Sequence, residues 1–232
     1  MDIVVTHLTR MSRGYVCVAG EEERSGRNIR PVAGQLSTSV LARHGGAFDI
    51  GNRIDLGPVV PVPTPPEVED HRFELAKVRR LGTLKGTEFW SLLSAHSKRK
   101  FTDVFGPDLQ VHRGAKGYVE LHQGSASLGY LTPVTRPTLT LSSYGSKVKI
   151  TLELSDGTYR LEMPVTDIRL YGPDHVTPDA ALVASVNKRL ATTNCIVAVG
   201  LARPFAGALD RDVHWMQANN LHLQDDPVWQ LG

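Results

Sequence analysis

Cysteine is almost absent from this 232-residue chain; the two present, Cys17 and Cys195, each sit inside an apolar run. Two such thiols build neither a disulfide framework nor a cysteine-rich zinc site, so both are expected to be free, buried in strands and reduced in the cytoplasm. No apolar run approaches the roughly 18 residues needed to cross a bilayer, which argues against a membrane span. Met1-Asp2-Ile3-Val4-Val5-Thr6 lacks a basic segment and a small-residue cleavage site, so no secretory signal is expected. Aromatics make up only 6% of residues, which limits base stacking, and the net charge of +2 is too small to imply a polyanionic partner. The charge is uneven, however: 17 cations face 13 acids in residues 1–116, against 9 and 11 in residues 117–232. An anionic ligand therefore favours the first half.

Catalytic patterns are also missing. Gly82-Thr83-Leu84-Lys85-Gly86-Thr87 holds the ingredients of a phosphate loop in the wrong order, and reads as a turn before a helix. Pro-Asp pairs occur at 107–108 and 173–174, yet no acid stands two residues before any lysine, as a metal-dependent nuclease site of that type requires. Ser125-Ala126-Ser127-Leu128-Gly129 lacks the first glycine of a serine-hydrolase elbow. The nine histidines fall singly; His112 with His122, or His214 with His222, could face each other across strands, but neither pair makes a metal site. No catalytic residue, metal or cofactor is expected, and the chain reads as a non-enzyme. The acids Glu69-Asp70 and Asp225-Asp226 read as solvated charge.

What the chain does contain is short strands. Ile3–Thr6, Tyr15–Ala19, Asn28–Val32, Arg53–Leu56 and Phe73–Val78 alternate or run apolar between turn residues, with Pro31 expected at an edge or a strand end. Five prolines within Pro58–Pro66 predict a stiff extended connection. The spacing predicts a helix over 87–96 with Thr87 as cap, a short turn over 101–105, and strands over 118–121 and 128–131. Thr132-Pro133-Val134-Thr135-Arg136-Pro137 is the candidate boundary, giving halves of 1–134 and 135–232. Beyond it, strands over 138–141 and 148–154 lead to Asp156-Gly157, a hairpin signal before Tyr159–Met163. A helix over 179–190, a buried strand at Ile196–Val199, a strand at His214–Ala218 and a frayed tail from Gln224 complete the reading. Val16–Gly20 and Val197–Gly200 are apolar strands ending in glycine, each followed by an Arg-Pro-apolar triplet: Arg30-Pro31-Val32 and Arg203-Pro204-Phe205. The expected fold class is mainly β with a few helices, as two small OB-like barrels in tandem.

Ile3–Thr6, Gly14–Gly20, Gly26–Val32, Pro66–His71, Leu161–Asp167, Val199–Phe205 and His214–Gln217 together resemble, in the same order, the prokaryotic dual OB-containing domain family. The resemblance implies two OB folds and a nucleic-acid-binding role, in an anti-phage or mobile-element conflict system. It brings no catalytic residues.

The candidate binding residues are basic. Arg27 and Arg30, with Arg24, surround the first hairpin; Arg79, Arg80 and Lys85 end another strand. Lys98, Arg99 and Lys100 follow the first helix, and Arg113 and Lys116 lie in the next loop. Tyr15 and Trp215 are the leading stacking candidates, beside Tyr118 and Tyr144. Brought together, these cations would track a phosphate backbone, single-stranded DNA or RNA, without reading sequence. The alternative is a protein–protein adaptor or regulatory subunit of a partner enzyme.

Overall fold

The structure, a computed structural model, describes residues 1–145 and 147–231, leaving aside the side chains of Arg13, Tyr144 and Lys147. Alternation and apolar runs become β1 (Asp2–Arg10), β2 (Tyr15–Glu22), β3 (Arg27–Val32), β4 (Leu36–Ser37), β5 (Asn52–Asp55), β6 (Val60–Pro61), β7 (Asp70–Arg72) and β8 (Arg79–Thr83). These form one sheet in the order β6-β7-β3-β2-β1-β5-β8, with β4 on β2. Helix α1 (Gly86–His96) turns Phe89 and Leu93 into the core that this sheet wraps. Helix α2 (Phe101–Phe105) then starts a second unit with β9 (Gln110–His112), β10 (Lys116–Glu120), β11 (Leu128–Leu131), β12 (Thr138–Tyr144), β13 (Lys147–Ser155) and β14 (Arg160–Pro164). Helix α3 (Ala180–Leu190), β15 (Cys195–Leu201) and β16 (Val213–Leu223) complete it, in sheets ordered β11-β15-β16-β10-β9 and β12-β13-β14 around a second core. The chain is mainly β, in two barrel-like units.

Several local expectations are corrected. Residues 73–78 are no strand: only Phe73 is buried, and Leu75–Lys77 is a 3₁₀ turn, because no strand among the described residues pairs with this segment. Pro31 does stand near a strand end as expected: it is next to last in β3, beyond the last β2 pair at Ile29, and pairs with His71 of β7. Part of the proline-rich connection, Val60–Pro61, is itself an edge strand on β7. The first helix is capped at Lys85 rather than Thr87, and the third at Asp179, whose Oδ1 accepts from Leu182 N at 2.9 Å. The division at 134/135 does not separate the two cores: β9, β10 and β11 precede it, yet β10 pairs with β16 and β11 with β15. The tail is not frayed either, since Trp229 packs on the second core and Gln230 Nε2 donates to Ile50 O at 2.7 Å.

The units are joined along β1 and β16. Asn220 accepts from Leu8 N at 2.7 Å and donates to Leu8 O at 3.1 Å. Tyr130 bridges Thr6 Oγ1 and Asn28 Oδ1 at 2.8 and 2.9 Å. Within the first sheet, Gly20 is required by a close approach, because a Cβ there would lie 2.3 Å from Val4 O and 3.1 Å from Ile3 Cδ1. Gly20→Ala is expected to cost about 1–3 kcal/mol of stability, as overpacking against backbone does. A urea midpoint equal to wild type would contradict that packing.

Candidate functional site

The cations named from the sequence do not meet. Arg24 and Arg53 border one shallow depression with Glu22 and Glu23, and Arg27 is paired to Glu22 at 3.2 Å. Arg79, Arg80 and Lys85 are exposed on β8 and at the start of α1; Arg80 Nη2 donates to Thr83 Oγ1 at 2.7 Å and borders a different depression. Lys98, Arg99 and Lys100 are exposed between α1 and α2, and Arg99 shares a polar cleft of about 670 Å³ with Arg136 and Trp90. Arg113 is exposed in the β9–β10 turn, while Lys116 borders yet another groove. Arg30 is no surface cation: it is buried and paired to Asp70 at 2.5 Å. Trp215 is no open platform, being 7% exposed, with Nε1 donating to Phe205 O at 3.1 Å and its ring packed on Tyr118. Tyr118 is itself buried and Tyr15 half-buried; the Tyr144 side chain lies outside the described residues.

What the fold does assemble lies between the two units. The two Arg-Pro triplets, far apart in the chain, converge on one acidic pair. Arg30 lies 3.7 Å from Glu67 as well as against Asp70, and Arg203 pairs with Glu67 directly and with Asp70 at 3.3 Å. Beside them Glu69 is buried, accepting from Ser127 N and Oγ at 2.8 and 2.7 Å and from Leu128 N at 3.2 Å, with burial raising its carboxyl pKa despite these bonds. The expectation of solvated acids at Glu69-Asp70 therefore fails: they staple the units together. Sequence reading missed this because exposed and ion-paired acids look alike in one dimension.

Over this clamp opens a cleft of about 650 Å³, lined by β1, β2 and β3 on one side and β15 and β16 on the other. Its polar lining is ordered. Gln217 Nε2 donates to Asn219 Oδ1 at 2.8 Å, and Asn219 Nδ2 lies 3.1 Å from His7 Nδ1. Burial first, then His222 and Arg30, lowers the His7 pKa to about 3, so the imidazole is neutral and accepts at Nδ1. Its proton therefore sits on Nε2, a buried atom without a hydrogen-bond partner among the described residues. Cys17 also lines the cleft, half-buried rather than fully enclosed, and burial raises its thiol pKa.

Phe205 is 50% exposed and lines both this cleft and a second groove of about 580 Å³ on the second unit. That groove carries Lys116, Lys149, Ser142, Thr151 and the acid Glu162 over the edge of Trp215. The two depressions meet at Phe205 in a stripe whose lining cations include Arg10 and Arg203 in the first and Lys116 and Lys149 in the second. Of these, Lys116 alone is among the binding residues expected from the sequence. The repeat of Arg30-Pro31-Val32 in Arg203-Pro204-Phe205 is the sequence signal for Arg203 and Phe205.

A family model described as a dual OB-containing domain matches residues 1–221. No curated protein matches the chain.

Proposed function

Because the chain belongs to the dual OB-containing domain family, we propose that it binds single-stranded nucleic acid along this stripe, mainly through the phosphate backbone and without catalysing a reaction. The supporting observation is the shared, half-exposed Phe205 between two depressions that both present cations. OB barrels bind oligonucleotides across a strand face and its flanking loops, and an aromatic between cationic flanks supplies a stacking surface where bases pass. No helix among the described residues is long and apolar enough to cross a membrane.

The test is the anisotropy of a labelled 15-nucleotide single strand. Four phosphate contacts predict that affinity falls about 50-fold between 50 and 200 mM salt. Lys116→Glu with Lys149→Glu is expected to weaken binding at least tenfold, and Phe205→Ala by roughly 5- to 30-fold. Arg79, Arg80 and Lys85 replaced together by alanine, off the stripe, should change neither affinity nor melting temperature appreciably. Absence of binding at 50 mM salt with micromolar protein would reject the proposal.

One observation favours a second reading, that of an adaptor. Strand β8 is a sheet edge, with Leu81 exposed on the strand itself and Leu75 exposed in the turn before it. Such an edge can accept a strand from a partner protein. On that reading Leu81→Lys abolishes co-purification of a partner that survives nuclease treatment, while oligonucleotide affinity is untouched.

A further inference from the structure

We infer that the cleft between the two units is a pocket for one nucleobase, turned out of the bound strand and held on its polar edge while the neighbouring phosphate rests on Arg203. The inference deepens the nucleic-acid reading above and rests on it. At about 650 Å³ the cleft lies in the size range of small-ligand sites, larger than a mononucleotide needs, and its walls include Val16, Val32, Leu36 and Leu201, apolar surface suited to a flat ring.

One buried donor of the lining, His7 Nε2, lacks a hydrogen-bond partner among the described residues, whereas Arg30 Nη2 faces Glu67 Oε1 at 3.7 Å. A buried donor left unsatisfied is costly, so a ligand presenting acceptors to this lining restores what the free protein forgoes. Gln217, held by its bond to Asn219, places a side-chain amide in the same lining. Nucleobases offer carbonyl oxygens and ring nitrogens on one planar edge, which matches a lining of fixed donors between apolar walls. At the mouth, Arg203 is 53% exposed even while paired with Glu67 and Asp70, so its guanidinium faces both the clamp and solvent. Phe205 on the rim offers a face for the next base along the strand.

The experiment compares three ligands by anisotropy and calorimetry: a base-bearing 15-mer, the same backbone made wholly of abasic units, and the free mononucleotides. The expected result is that the base-bearing strand binds roughly tenfold or more tighter than the abasic one. Gln217→Ala and His7→Phe should cut that difference severalfold, to the part that stacking on Phe205 supplies, while leaving abasic-strand affinity and its salt dependence intact; an unchanged difference in both variants would overturn the pocket. Saturable binding of mononucleotides, lost in the same variants, would support the pocket and show that it takes the unit free as well as within a strand. Mononucleotides that fail to bind, with base dependence retained, would support it for strand-borne bases. Equal affinity for base-bearing and abasic strands would overturn the pocket and spare the backbone-binding proposal; no binding of either strand would overturn both. Should His7→Phe unfold the protein, Gln217→Ala, at the more open end of the relay, carries the same comparison.

Discussion

Replacing Asp167 by alanine is expected to remove about 3–5 kcal/mol of stability, the usual cost of stripping one partner from a buried ion pair. Asp167 and Arg169 are both essentially inaccessible, and their bonds form one knot. Asp167 Oδ1 accepts from Arg169 Nε at 2.8 Å, and Oδ2 from Arg169 Nη2 at 2.7 Å and from Leu221 N at 3.0 Å. Arg169 in turn donates to Trp229 O at 2.8 Å and Leu221 O at 2.9 Å, and lies 3.9 Å over the Trp229 ring. The neighbours Ile168 and Leu170 enter the first and second core respectively, so the knot fixes the join between units. Alanine leaves a guanidinium in the interior without its hydrogen-bonded carboxylate and loosens the tail that Trp229 anchors. Replacing Asp167 and Arg169 together by leucine and methionine should cost much less than Asp167→Ala, because no charge is then stranded. Urea unfolding of the three proteins decides it: a loss below 1 kcal/mol for the single variant would show that the knot is dispensable.

Mild acid should also act strongly, through two histidines that the fold keeps neutral. Burial pushes both His7 and His222 down to about 3, helped by His222 and Arg30 for the first and by Arg169 for the second. In the unfolded chain each titrates near 6.5. As pH falls below that value, the unfolded state takes up protons that the folded state refuses, so stability drops until the folded pKa is reached. By pH 5 the loss is about 2 kcal/mol per histidine. Glu21 works in the opposite direction. Burial raises its carboxyl pKa to about 8, with His96 Nδ1 at 2.7 Å, so its contribution is largest in acid and is lost as pH rises through that value. Wild-type stability alone therefore mixes the two, and a variant isolates the histidine. From pH 7 to pH 5, the stability of His222→Gln relative to wild type should rise by about 2 kcal/mol. A constant difference across that range would mean that native His222 takes up its proton as readily as in the unfolded chain.

The amphipathic patterns were legible where burial is local. The alternation of residues 148–154 and the Asp156-Gly157 turn gave the β13–β14 hairpin, and the apolar Ile196–Val199 run lies within β15. The segment over 73–78 misled because alternation marks a strand only if a neighbour supplies the ladder, and none among the described residues does. The candidate site was legible only in fragments. Lys116 stood out by charge, but so did Arg30, which is enclosed by Asp70 and Glu67; a cation's type does not reveal whether it faces water or an acid.

From its residues alone this protein's β-rich character, its main helices, its turns and its family were fixed, because these depend on periodicity and punctuation within a few neighbouring positions. Only the tertiary structure decided that Arg30 and Arg203 share one acidic clamp, that Trp215 fills a core while Phe205 stays open, and that a cleft lies between the units. Those facts arise from pairings across most of the chain, such as Asp70 with Arg203 and Leu8 with Asn220, and no local pattern encodes a partner so distant.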